Sequence, residues 1–278
     1  MNKIALITDS ACDLFCETLE KYNIGLIPLR INFSENSFKD REDITPLELY
    51  DMMKNELPKT SLPRAEDVYS VFESVKDAEK VLYIGISSGL SGTYNFVKLL
   101  GEEFFGDKFY SMDSKTLSGG QALLVEKAAQ MIENGNTIAD ILVELNIIRS
   151  KMFAEFIVKD ISYLIQGGRI GKVAGTLGSL FKISPVIRVN QDGVYETAAK
   201  SMGFSRSLQL MLNRFQNKFD GLKIMVKIVH GLEESTAKNI LGKIKKFTNV
   251  VQESIVPVTA VLGVHTGPGL IGIIAYEV

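Results

Sequence analysis

The 278-residue sequence predicts an α/β protein. Residues 1–155 are expected to form an α/β domain with a mainly parallel sheet flanked by helices, and residues 156–278 an α+β domain. Three observations predict this. In the first half, short apolar runs alternate with stretches of helical spacing, the pattern of strand–helix–strand units covered on both faces. Three of those runs end alike, in Thr8-Asp9-Ser10, Ser87-Ser88-Gly89 and Asp113-Ser114-Lys115. After about Lys151 the pattern changes, and Asn190-Gln191-Asp192-Gly193 signals a hairpin.

Taken in order, residues 3–7 read as a strand. Residues 24–29 are a second apolar run that Ile31-Asn32-Phe33 continues. Residues 46–57 have helical spacing behind Thr45, a good N-cap, with Pro46 in the first turn. A strand at 81–87, a helix at 94–104, a strand at 109–112 and a helix at 120–134 follow. Ile138, Ile141, Leu142, Leu145 and Ile148 then fall at helical spacing. In the second half, 153–158 and 185–189 read as strands, the latter turning through the hairpin into Val194-Tyr195. Residues 205–219 are helical, 222–229 alternate like a half-buried strand, and 233–247 form a helix with a solvated, Lys-rich face. Residues 261–264 and 271–278 are expected to be closing strands around His265-Thr266-Gly267-Pro268-Gly269.

Lys and Arg number 31 against 33 Asp and Glu, a net charge of −2, so no broad basic field is available for nucleic acid or an anionic membrane. No apolar run reaches the length of a membrane span. The first apolar run meets Thr8-Asp9 too soon for a signal-peptide core. A cytoplasmic protein is expected. Cys12 and Cys16, four apart on an expected helix, would share a face as two reduced thiols. With His230 and His265 the only histidines, no zinc site, and no other metal or cofactor, is expected.

In an open parallel sheet the strand ends gather at one edge, where ligands bind. Small hydroxyl residues there supply donors, and glycine lets the backbone approach closely. Ser91-Gly92-Thr93, just before a helix, fits an anion seat reinforced by the helix N-terminus; equally, Ser91 simply caps that helix. Neither G-x-x-x-x-G-K-[ST] nor G-x-G-x-x-G after the first strand is present, which disfavours an independent ATP or NAD site. The run Gly167-Gly168-Arg169-Ile170-Gly171-Lys172 has glycines and cations without that context. Gly89-Leu90-Ser91-Gly92-Thr93 nearly matches the nucleophile elbow of serine hydrolases, with Thr93 in place of the last glycine and His265 far downstream. His265 can pair with a carboxylate as imidazolium, or donate one hydrogen bond when neutral. His230 reads as structural.

Six motifs in order, ITDSACDL (7–14), TSLP (60–63), SSGLSGTYN (87–95), DSKTLSGGQ (113–121), GGRIGK (167–172) and HTGPGLIGI (265–273), resemble the DegV family of bacterial fatty-acid-binding proteins. The resemblance covers almost the whole chain. It implies that one long-chain fatty acid lies between the two domains. It further implies a carrier without catalytic chemistry of its own, acting as a subunit of a fatty-acid kinase whose separate partner uses ATP to make the acyl phosphate. By the same resemblance the carboxylate is held by Thr60, Ser61, Ser91 and His265 with backbone from Gly92, while Asp9 and Ser10 orient the seat. Arg169 either belongs to a docking surface or ties down the glycine turn. The sequence departs from kinase-coupled relatives at Met202, where an arginine is expected, and at Ser184, where a lysine is expected. The alternatives are a serine esterase or thioesterase using Ser91 and His265, and a binding protein for another small apolar acid.

Overall fold

The computed structural model describes residues 4–173, 175 and 184–278. Lys3, the expected start of the first strand, lies outside them. Among the described residues the strands form three sheets.

The first half opens with β1 (Ile4–Asp9), α1 (Cys16–Lys21), β2 (Gly25–Ile27), β3 (Arg30–Asn32) and β4 (Ser37–Lys39). α2 (Pro46–Met52) starts at a capping box, in which Thr45 Oγ1 accepts the Glu48 N–H and Glu48 accepts the Thr45 N–H. β5 (Lys59–Ser61), α3 (Ala65–Ser74), β6 (Lys80–Gly85), α4 (Thr93–Phe105), β7 (Phe109–Asp113), α5 (Ser118–Glu133) and α6 (Ile138–Lys151) follow. The second half comprises β8 (Phe153–Ile157), α7 (Ser162–Gln166), β9 (Val186–Val189), β10 (Tyr195–Ala199), α8 (Phe204–Phe219), β11 (Lys223–His230), α9 (Glu234–Ile244), β12 (Asn249–Pro257), α10 (Ala260–Thr266) and β13 (Ile271–Glu277).

The expected parallel sheet is present, with order β2-β1-β6-β7 and every pair parallel. Its strands are near-continuous apolar runs because both faces are covered. A mixed sheet, β10-β9-β8-β13-β11-β12, occupies the second half; only β11 and β12 run parallel in it. Its outer face packs Phe153, Ile157, Val226 and Ile228 against Phe215 and Phe219 of α8 and Ile240 of α9. Its inner face, with Phe156, Val229 and Ile274, joins the core of the first half.

Helix α5 lies between the two sheets and touches both, on β1 and β6 and on β11 and β13. Its residues from Gly119 to Glu126 are all buried, so its sequence is apolar nearly all round instead of striped. At Gly119 it lies close against the inner face: a β-carbon there would stand 3.0 Å from Val229 and 3.1 Å from Ile274. A buried ion pair, Lys227 Nζ to Glu126 Oε1 at 2.8 Å, fastens the helix to β11.

Three expectations are corrected. Residues 261–264 belong to helix α10 and not to a strand, so His265 sits in a helix's last turn. A four-residue apolar run has no period of its own, and this helix is buried on every side, which erases the stripe that would have revealed it. Cys12 precedes α1: its N–H bonds the Asp9 carbonyl in a turn, leaving Cys12 buried and Cys16 exposed, so the thiols share no helix face. The run beginning at Ile31 is not a continuation of the second strand. It is β3, at the centre of a small antiparallel sheet with β4 and β5.

Candidate functional site

The strand ends of the parallel sheet meet as expected. Asp9, at the end of β1, accepts the Ile86 N–H (2.8 Å), the Tyr83 hydroxyl (2.9 Å), the Ala11 N–H and the Gln121 amide. Asp113, at the end of β7, accepts the Ser88 N–H at 3.2 Å. The two carboxylates thus fix the loop from Ile86 to Ser91. Asp9 is wholly buried, and that burial raises its pKa against the pull of its four donors. Ser10 Oγ accepts the Leu29 N–H at 3.0 Å and so sets the chain entering β3.

Above the N-terminus of α5, between the sheets, lies a pocket. Its walls are mostly apolar: Leu29, Ile86, Leu117, Phe156, Val229 and Ile274 are among them. Thr60, Ser91, Arg169 and His265 join the lining from four separate segments. Thr60, on β5, and His265, on α10, are 205 residues apart, yet Thr60 Oγ1 and His265 Nε2 are hydrogen-bonded at 2.8 Å.

Each polar residue is held by its own element. Ser91 Oγ accepts the Thr93 N–H (3.2 Å) and bonds Thr93 Oγ1 (2.9 Å), fixing the turn that leads through the N-cap Gly92 into α4, and it also lines the pocket. Arg169 donates to the Gly167 carbonyl at 2.6 Å, which ties down the glycine turn. That turn lies against the histidine: a β-carbon on Gly167 would stand 2.2 Å from His265 Nδ1. Burial, then the nearby Arg169 charge, pushes the His265 pKa down to about 4. The imidazole is therefore neutral at pH 7 and offers one N–H.

Other expected residues stand further back. Ser61 is exposed, accepts from Asn32 Nδ2 at 3.0 Å and does not line the pocket. Gly92 is exposed at the head of α4 and is also outside the lining; Leu62 lies beside it. Asp9 and Ser10 act through the loops they hold. Met202 is 58 % exposed, and Ser184 bonds the Ser201 and Val158 carbonyls. Nothing in the local sequence discloses the place of Gly167 beside the histidine. Its only signal there is the glycine pair beside a cation.

The arrangement offers two hydroxyls, a neutral imidazole and a guanidinium around an apolar space, a donor set for one anionic head group on an apolar body. It does not form the relay of a serine hydrolase. His265 Nε2 is engaged by Thr60, and among the described residues Nδ1 has no hydrogen-bond partner to orient the ring. No group of three or more metal-ligating side chains occurs among the described residues.

The family model described as "Uncharacterised protein, DegV family" matches residues 3–278. The chain belongs to the DegV family. This DegV protein is 36% identical over 275 residues to a DegV domain-containing protein of Clostridium perfringens, with 98% of each chain covered. It is similar to the Thermus thermophilus structure described as fatty acid binding of a DegV family protein, at TM-score 0.90 and 29% identity, with 99% of each chain covered. It is also similar to a stearic acid-binding protein from Eubacterium ventriosum, at TM-score 0.88 and 28% identity, covering 100% of this chain and 98% of that one.

Proposed function

We propose that this DegV protein binds one long-chain fatty acid, with its hydrocarbon along the apolar walls and its carboxylate at Thr60, Ser91 and His265. The observation that carries the reading is the Thr60–His265 pair, which closes the polar side of an apolar pocket from two distant segments. The fatty-acid ligands named for the Thermus and Eubacterium relatives support the same reading. On this reading the ligand lies between a unit of residues 1–155 and one of 156–278. Arg169 adds positive charge without having to touch the ligand. Each buried methylene contributes about 0.8 kcal/mol, so ten would contribute roughly 8 kcal/mol before the costs of association. The tail supplies most of the affinity and the polar cluster fixes the head group.

The protein itself performs no chemistry on the acid in this scheme. It presents the carboxylate to a separate ATP-dependent kinase in the cytoplasm. Among the described residues no helix is long and apolar enough to cross a membrane.

Native mass spectrometry of the purified protein tests the proposal. A co-purifying mass equal to an intact long-chain fatty acid, lost on delipidation and restored by adding hexadecanoate, is the expected result. A covalent adduct on Ser91 with a serine-reactive phosphonate would favour the esterase instead. Head-group placement is tested separately. Ser91→Ala and His265→Ala should each weaken hexadecanoate binding by about two- to tenfold, the worth of one hydrogen bond, without abolishing it. Unchanged affinity in both would overturn the seat.

A further inference from the structure

Helix α10 carries His265 in its last turn, and its first turn is held by two carboxylates from the other half of the chain. Asp13 Oδ1 accepts the Thr259 N–H at 2.9 Å, and Asp40 Oδ1 accepts the Val261 N–H at 3.1 Å. The other oxygen of Asp13 accepts the Ser118 hydroxyl. Both aspartates are buried, at 1% and 0% exposure. A seven-residue helix has little stability of its own, so its seat is set by what grips its ends. At the far end Gly267, at φ 63°, packs on the Tyr163 ring. One turn separates the Asp40-bound amide of Val261 from His265.

We infer that Asp13 and Asp40 are positioning residues for the head-group site: as carboxylates they hold helix α10 in the register that keeps the His265 imidazole on Thr60, and their protonation loosens that hold. Negative charge at a helix N-terminus is stabilising, and bonds from N–H to a carboxylate are stronger than those to a neutral acid. The charged groups facing the pair are few. Arg41 lowers both pKa values and Asp13 raises that of Asp40, while Cys12, Tyr50 and Tyr195 lie in the field of Asp13. Arg41 is itself occupied by the Cys12 and Leu14 carbonyls. Burial prevails, pushing Asp13 up to about 6 and Asp40 up to about 7. The carboxylates therefore gain protons in a range where His265, at about 4, does not.

The inference rests on the fatty-acid reading, and the experiment separates the two. Hexadecanoate affinity is measured at pH 8 and pH 5.5 for the wild type, Asp40→Asn and Asp13→Asn/Asp40→Asn, and again for each in a His265→Ala background. The ligand's own titration is common to all and cancels in the ratio. The double variant should bind about three- to tenfold more weakly than wild type at pH 8 and equally at pH 5.5, with no difference at either pH once His265 is alanine. A ratio that is the same at both pH values, or that persists without His265, overturns the inference. If no form binds hexadecanoate, the fatty-acid reading fails first. The wild type alone supplies a second readout. With only two histidines, the His265 ring resonances are readily assigned, and they should move with a midpoint between about 6 and 7 although the ring stays neutral. Resonances that stay fixed over that range overturn the inference even if the variants fail to fold.

Discussion

A β-carbon at position 167 would stand 2.2 Å from His265 Nδ1, while the backbone of Gly167, at φ −70°, is open to any residue. Gly167→Ala therefore carries no conformational penalty and a steric one only. The imidazole must leave Thr60, and hexadecanoate binding should weaken about tenfold, the cost of losing a bond to a charged head group, with thermal stability little changed. Isothermal titration of Gly167→Ala beside His265→Ala checks this: the two should match, and the double variant should be no worse than either. The requirement was not readable from the sequence, because the two residues meet only across the turn between α7 and the pocket. Ser91 is readable as a residue worth attention, since a hydroxyl just before a helix has few roles: it accepts the Thr93 N–H ahead of α4 and lines the pocket.

At the scale of the element, α5 decides most. It is the layer shared by both sheets, and its fastening to β11 depends on a buried charge pair whose Lys227 also donates to Ser254 at 3.1 Å. Removing one partner leaves the other charged and dry, so Glu126→Ala should cost about 3–5 kcal/mol. Glu126→Met with Lys227→Met removes both charges and should recover most of that. Urea unfolding of the single and double variants measures it, and a double variant as unstable as the single would refute the account. Helix α5 was legible as a helix by its length. The ten residues of α3 bury Val68 and Phe72, yet no side-chain N-cap marks their start in the sequence. β12, on the sheet edge and half exposed, lacks the apolar alternation that identifies a strand.

For the whole molecule, the buried carboxylates make stability depend on pH in an unusual direction. Asp13 and Asp40 have folded pKa values of about 6 and 7 against 3.8 when unfolded. Between those limits the folded chain holds protons that the unfolded chain has released. Their contribution to stability therefore grows as the pH falls from 8 towards 4 and is lost as it rises through 7. His265, depressed to about 4, acts oppositely, since the unfolded chain takes up its proton first. The aspartate share is read as a difference: wild type minus Asp13→Asn/Asp40→Asn stability should increase from pH 8 to pH 5, measured by thermal melts at each pH. A flat difference would mean that the two carboxylates titrate normally. Acidification thus stabilises the fold through the same groups whose protonation is expected to loosen the head-group site.

The sequence by itself determined the parallel sheet, the hairpin at Asn190–Gly193 and the gathering of hydroxyls and carboxylates at the strand ends. These follow from periodicity and turn chemistry acting within a few residues. The six motifs in order likewise pointed to the family. Only the tertiary structure decided that residues 260–266 form a helix, that Thr60 meets His265, and that Asp13 and Asp40 reach across to the start of that helix. Each of these depends on contacts between segments some 200 residues or more apart. A short buried segment takes its conformation from what surrounds it, and nothing in its local spacing records those neighbours.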